Sequence, residues 1–575
     1  MPNATLDFTA IELKFKSFVL SDPETSMSLG EVEFLGQLGD PSLAALKSDT
    51  DAAKEIIGFI ESCQSSDFDQ NLDLDLMARY LKQQVFFNEL KQGGELQRCR
   101  KPGGVDGISA GIFQLFVNDD RSATDRLSNI LSRLLQAPKY LETEAGVITQ
   151  PIKRWLDIEI EQAEGLPGLF DTIYNWAVQE SFESLTELQQ AIDECNLALS
   201  NYVTDLLSRN TITDFVIGEE KVLEILALRN IHQTPKQLAT MAKDFMAETQ
   251  SLLSDLEVKL QDKYKLPATT TQEELHEFLN NKFAAKIKGG EISSILDIYS
   301  EQIESINKFI SNNQLFEIPA TQSIKILQTP SFLEPVIPAG AMWPPLALRE
   351  GSKTSLVYLT LKDDQLAEHT ELGIPVMMIH EGIPGHHLQF ATAAHHPSFI
   401  RRIFSANEHA EGWTTMLEDY MLDVGYIDAE LVDEVRFIAK REMSRLVARV
   451  GIDLYFMTGN QDYLNVGLDL GFEKNGYSDD VFENAAKLLK TATGFTDGRV
   501  QAELNWYSTE QSYPLSYLTG NRMVWKMKGE VLEQNLKQLS EIELDKAFHK
   551  VYLQSGCMPV NSLRSIFVDE GYLTK

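Results

Sequence analysis

Through most of the first 310 residues, apolar side chains recur every three or four positions with polar residues between them. Around Leu127, Ile130, Leu131, Leu134 and Leu135 this spacing puts one apolar stripe along a helix, with Pro138 as its expected stop. The same period runs from Leu72 to Leu90, Ser184 to Ser208 and Lys236 to Leu260. Strict alternation is scarce, so the expected fold is mainly α. The pattern breaks where Pro319, Pro330, Pro335, Pro338, Pro344 and Pro345 crowd into one segment, a density that helices do not tolerate. Short strands are expected there, Ser323 to Leu327 and Thr354 to Leu361. Helical periods then return, interrupted by glycine turns near Gly471 and Gly494. The expected architecture is a large helical body, with a small β-sheet beside the active-site helix and a deep cleft. Residues 1–315 would form one wall and residues 316–575 the catalytic part, as two parts or as one continuous unit.

Length and charge narrow the function. The 575 residues, 43% of them apolar, suffice for a deep core. With 51 basic and 85 acidic residues the formal charge is −34, a field that repels phosphate backbones and anionic lipid. Nucleic acid and membranes are therefore not expected partners. Cys63, Cys99, Cys195 and Cys557 lie far apart, which argues against a cysteine metal site and a disulfide framework. No basic, apolar leader opens the chain and no apolar run is long enough to span a bilayer, so the expected location is cytoplasmic. The Gly-rich segment Lys101 to Gly111 lacks the closing Gly-Lys-Ser/Thr of a phosphate loop and reads as a plain loop.

Seven of the ten histidines (His369, His380, His386, His387, His395, His396 and His409) fall between residues 369 and 409. At their centre stands His380-Glu-Gly-Ile-Pro-Gly-His386-His387. A zinc helix of the His-Glu-x-x-His type brings two imidazoles to one face, but here Pro384 takes the second histidine's place. At about 100° per residue His386 would sit about 240° round a straight helix from His380, and His387 about 340° round but about 10.5 Å along it. Pro384 and Gly385 resolve the difficulty if the helix is distorted between 381 and 386, which brings His386, ahead of His387, back beside His380. Glu411 is the candidate third ligand, and Glu418, two turns later, would orient a ligand histidine. Glu381 is the expected general base, taking a proton from water and passing it to the leaving amine. His395, His396 and His409 read as surface or supporting residues.

The segments HEGIPGHHLQ and AEGWTTMLEDY, with DLDLMARYLKQQVFFNEL, LVARVGIDL and SGCMPVNSL elsewhere, resemble a bacterial family, domain-of-unknown-function family 885. That family is in turn similar to the thermolysin-like, or gluzincin, zinc peptidases. Its pattern His-Glu-x-x-Pro-Gly-His implies His386 as ligand and His387 as neighbour. The resemblance also implies a role for Tyr517, and less directly Tyr507, in holding an oxyanion. This chain departs from the family at Gln511-Ser512-Tyr513, where Pro-Gly-Gln is usual, and at Leu518 in place of lysine. The expected function is a zinc-dependent peptidase acting on peptides or small amides, with other divalent metals possible at the same ligands. The rival expectations are a non-catalytic, metal-stabilised peptide-binding protein and a zinc hydrolase of non-peptide amides or esters.

Overall fold

The computed structural model describes residues 6–287, 289, 291–329, 340–361 and 369–575, without the side chain of Asn475. The chain is 67% helical. No helix among the described residues is long and apolar enough to cross a membrane. The expected helices are present as Phe68–Glu89, Leu185–Leu207 and Pro235–Tyr264.

Two sequence expectations fail in the first half, both because packing outweighs local propensity. Pro138 does not stop its helix, which runs Ala123–Val147 straight through it. An internal proline costs about 3 kcal/mol. Leu127, Ile130, Leu134, Ala137 and Leu141 are buried along one face, and each large side chain contributes about 1.5–3 kcal/mol. The Gly-rich segment is likewise no loop: Gly104 begins a helix that ends at Val117. Its glycines are points of close approach. A Cβ on Gly107 would lie 2.0 Å from the Tyr140 hydroxyl, and one on Gly111 would lie 2.1 Å from an Arg133 nitrogen.

Three large apolar cores, with two smaller ones, pack the described residues. One lies within the first half, among the helices Gly104–Val117, Ala123–Val147, Lys153–Gln179 and Leu185–Leu207. The other two cross residue 315. The largest joins N-terminal residues such as Ile11 and Leu76 to Trp413, Val524 and Phe567, and the second joins Trp155 and Phe245 to Val447 and Leu504.

A three-stranded sheet lies beside the site. Its strands are Gln322–Gln328, Gly340–Trp343 and Lys353–Leu359, and the last is central, parallel to the first and antiparallel to the second. The central strand is therefore paired on both edges over Leu356 to Leu359, which leaves no free edge there for a substrate. Its nearly unbroken apolar run is that of a strand covered on both faces. Both edge strands approach the His380 helix: a Cβ on Gly340 would come within 3.2 Å of Met377, and one on Gly382 within 3.5 Å of Ile324. Pro330, Pro335 and Pro338 lie outside the described residues.

Candidate metal centre

The distortion expected between 381 and 386 is a complete break. One helix, Gly373–Glu381, ends just after His380, and another, His386–Ala393, begins at His386. Gly385 passes so close beneath the first helix that a Cβ there would sit 1.9 Å from the His380 carbonyl oxygen, so only glycine fits. The Trp413 indole N–H donates to the Pro384 carbonyl at 3.0 Å, tying the turn to the helix Asn407–Asp423 that carries Glu411. Restarting the helix frees His386 from the phase of the first one. The two imidazole rings come to 5.0 Å between centroids, nearly perpendicular.

Glu411 completes a group of three. Its Oε2 lies 3.6 Å from His380 Nε2 and 3.4 Å from His386 Nε2. A tetrahedral zinc with bonds of about 2.1 Å separates its ligand atoms by about 3.4 Å, so these spacings suit one ion. Oε2 is buried without a hydrogen-bond partner, while Oε1 accepts from the Tyr513 hydroxyl at 2.8 Å. His380 Nδ1–H donates to Glu418 Oε1 at 2.7 Å, which leaves the Nε2 lone pair facing the group. His386 has no such partner on Nδ1; its ring stacks on Phe390.

The electrostatics also favour a cation. Burial alone would lower the His380 pKa, but the carboxylates of Glu411 and Glu418, with Glu381 nearby, raise it to about 10. Burial would raise Glu411, but the imidazoles of His386 and His380 hold its carboxyl well below the usual range. His380, His386 and Glu411 form the only group of three metal-ligating residues among those described.

The remaining candidates divide. Glu381 is half-buried, and among the described residues nothing hydrogen-bonds its carboxylate. His387 faces away from the group. Its Nε2–H donates to the Gln322 side-chain carbonyl and its Nδ1 accepts from the Ser355 hydroxyl at 2.7 Å, so its one ring lone pair is engaged, and burial pushes it down to about 4. Tyr517 is half-buried beside Tyr513, with ring centroids 5.9 Å apart, and packs under the Arg449 guanidinium at 4.2 Å. Tyr507 is fully buried, its hydroxyl taken by Arg449 and Glu503, which makes it framework for this wall. His395 is exposed. His409 is neither at the surface nor beside the three ligands: it is buried and donates to the Met558 carbonyl at 2.6 Å, because it points from the Glu411 helix into the C-terminal core.

Sequence reasoning passed over Tyr513, noting it only where the chain departs from the family pattern. Its position depends on Asp453, which accepts from the backbone N–H groups of Ser512 and Leu515, both at 3.0 Å. Arg229 also bonds the Ser512 carbonyl and pairs with Glu408 at 2.8 Å, so the first half of the chain fixes this loop too. Its signal in the sequence is a tyrosine followed by proline among Trp506, Tyr507 and Tyr517.

The chain matches, over residues 23–566, the family described as bacterial protein of unknown function, DUF885. It belongs to that family. No curated protein matches it. A solved structure of a candidate lipoprotein of unknown function from Shewanella oneidensis superposes with a TM-score of 0.74 at 18% identity, over 98% of this chain and 99% of that one. A candidate lipoprotein from Colwellia psychrerythraea gives 0.75 at 16% identity, over 98% of each chain. At such identities the likeness concerns the fold. This DUF885 chain thus shares a nearly full-length architecture with both.

Proposed function

We propose that this DUF885 protein is a zinc-dependent peptidase. The observation that carries the reading is the convergence of His380 Nε2 and His386 Nε2 on the buried, unpartnered Oε2 of Glu411, with Glu381 directly following the first ligand. Two histidines, a glutamate and a neighbouring glutamate are the ligand and base types of the gluzincin peptidases, and the reading adopts that comparison. Zinc at this site would polarise the scissile carbonyl and lower the pKa of water.

The chain's own residues account for the rest. Glu381 takes a proton from the attacking water and passes it to the leaving amine. Glu418 keeps the His380 ring aligned, and Tyr513 holds Glu411 by its other oxygen. Tyr517 supplies a hydroxyl for the developing oxyanion, a donor typically worth about 10²–10³ in rate. A substrate in extended form would pair with the outer edge of Gly340–Trp343. The partners are peptides or small amides. The free Glu381 carboxylate favours catalysis over the rival reading, a metal-stabilised peptide-binding protein. Hydrolysis of non-peptide amides or esters would use the same groups.

The test is metal analysis of the purified protein together with a peptide-library digest, with and without chelator. Glu381→Gln should retain the metal and lose nearly all turnover; peptide hydrolysis at the wild-type rate by that variant would falsify the mechanism. Four cysteines without a disulfide favour a reducing cytoplasm. The two structural neighbours, as candidate lipoproteins, favour the cell envelope instead. Cell fractionation decides between them.

A further inference from the structure

We infer that Arg445 and Arg499, gathered with Arg449 about Glu503, form a subsite for a carboxylate of the substrate. The inference rests on the peptidase reading and names its substrate class: peptides that carry an anionic group near the cleaved bond.

The cluster has more cationic donors than acceptors. Arg449 Nη2 lies 3.2 Å from Glu503 Oε2, Arg445 Nη1 lies 3.9 Å from Glu503 Oε1, and Arg499 shares the Phe495 ring with Arg445, at 3.7 and 5.9 Å from its centroid. Burial would raise Glu503, but Arg449 and Arg445, then the Tyr507 hydroxyl and Arg499, bring it down to about 2. One carboxylate thus faces three guanidinium groups, in a chain whose overall charge is −34.

The three arginines are not equally engaged. Arg449 is buried and engaged: it donates to the Tyr507 hydroxyl and Glu503 and stacks on Tyr517. Arg441, one turn before Arg445 on the same helix, is taken by Glu273. Arg445 reaches Glu503 and the half-exposed Glu442 only at 3.9 and 3.8 Å, beyond hydrogen-bond distance, and its Nε is buried with no acceptor. Arg499 lies 3.7 Å over the Phe495 ring and, among the described residues, donates no side-chain hydrogen bond. A buried N–H without an acceptor is costly, and a carboxylate is the group that a guanidinium fork receives best.

Position links the cluster to the metal ligands. Tyr513 bonds Glu411; its ring lies 5.2 Å from Trp506 and 5.9 Å from Tyr517, and both of these pack on Arg449. Arg445 stands one turn before Arg449 on the same helix. Tyr513, Tyr517, Trp506 and Arg445 are each partly exposed, so a substrate held at Glu411 would have the spare guanidinium donors along the same wall.

The test compares matched peptides on the metal-loaded wild-type protein: a free C-terminal acid, its C-terminal amide, and the amide with an added glutamate. Charge-assisted hydrogen bonds of this kind make a difference of about tenfold or more in affinity. Amidation should therefore raise KM by about tenfold or more with a smaller effect on kcat. Recovery on adding glutamate assigns the carboxylate to a side chain; no recovery assigns it to the C-terminus. Arg445→Met should collapse the preference for the acid. Equal KM for all three peptides overturns the subsite and leaves the peptidase reading intact. If no peptide is cleaved, that reading fails, and calorimetry with the same peptides still reads the preference, equal affinities overturning the subsite.

Discussion

Gly412 and Gly520 meet backbone to backbone: a Cβ on Gly412 would fall 2.4 Å from the Gly520 carbonyl carbon, and one on Gly520 would fall 2.1 Å from the Glu408 carbonyl oxygen. This contact presses the helix of Glu411 against the helix Ser516–Gln534, so that Tyr517 and the loop bearing Tyr513 stand beside Glu411. The obstructing atoms are main-chain and have nowhere to go. Gly412→Ala or Gly520→Ala should destabilise the protein by about 1–3 kcal/mol or more, the usual cost of overpacking. Metal affinity should fall with stability. Calorimetric unfolding checks the first and metal titration the second; a variant of unchanged midpoint would contradict the close contact.

The adjacent histidines should separate cleanly. His386→Ala removes one of three ligands and should abolish stoichiometric metal binding. His387→Ala should keep the metal and lose stability instead, because it leaves Ser355 and Gln322 without their partner. Elemental analysis of the two purified variants reads the difference.

Tyr513→Phe deletes the hydrogen bond that holds Glu411 by its outer oxygen. Glu418→Gln weakens the acceptor that orients His380. Loss of such supporting partners typically costs about 10–100-fold in metal affinity. Competition against a chromogenic chelator should show that loss in both variants, with the fold retained by circular dichroism.

Glu159 gives a prediction in pH. Its carboxylate accepts from Val105 N–H at 2.9 Å and from the Tyr202 hydroxyl at 2.8 Å, but burial outweighs both bonds and raises its pKa from 4.5 to about 7. Folding therefore takes up a proton at this group. Its contribution to stability is complete below about 4.5 and is lost as pH rises through about 7. The stability difference between wild type and Glu159→Gln should shift against the wild type across that window and level off above it. Denaturant titrations at several pH values measure it, and a constant difference would refute the shift.

Helical class and the location of the short strands were legible because each depends on local period, and His380 and Glu411 stood out by side-chain chemistry. Pro138 and the helix beginning at Gly104 were misread because their outcome depends on distant partners, the buried leucine stripe in one case and Tyr140 and Arg133 in the other. Tyr513 was passed over for a related reason: its place is set by Asp453 and Arg229, far away in sequence.

By itself the sequence determined the chemistry on offer: which residues can bind a metal, take a proton or carry charge, and that Pro384-Gly385 must interrupt a helix. Only the tertiary structure decided which of them meet. A helix break fixes the phase of His386 but not its distance from Glu411. That distance follows from the Trp413 bond to Pro384 and the glycine contact at 412 and 520, interactions between segments that no local pattern couples.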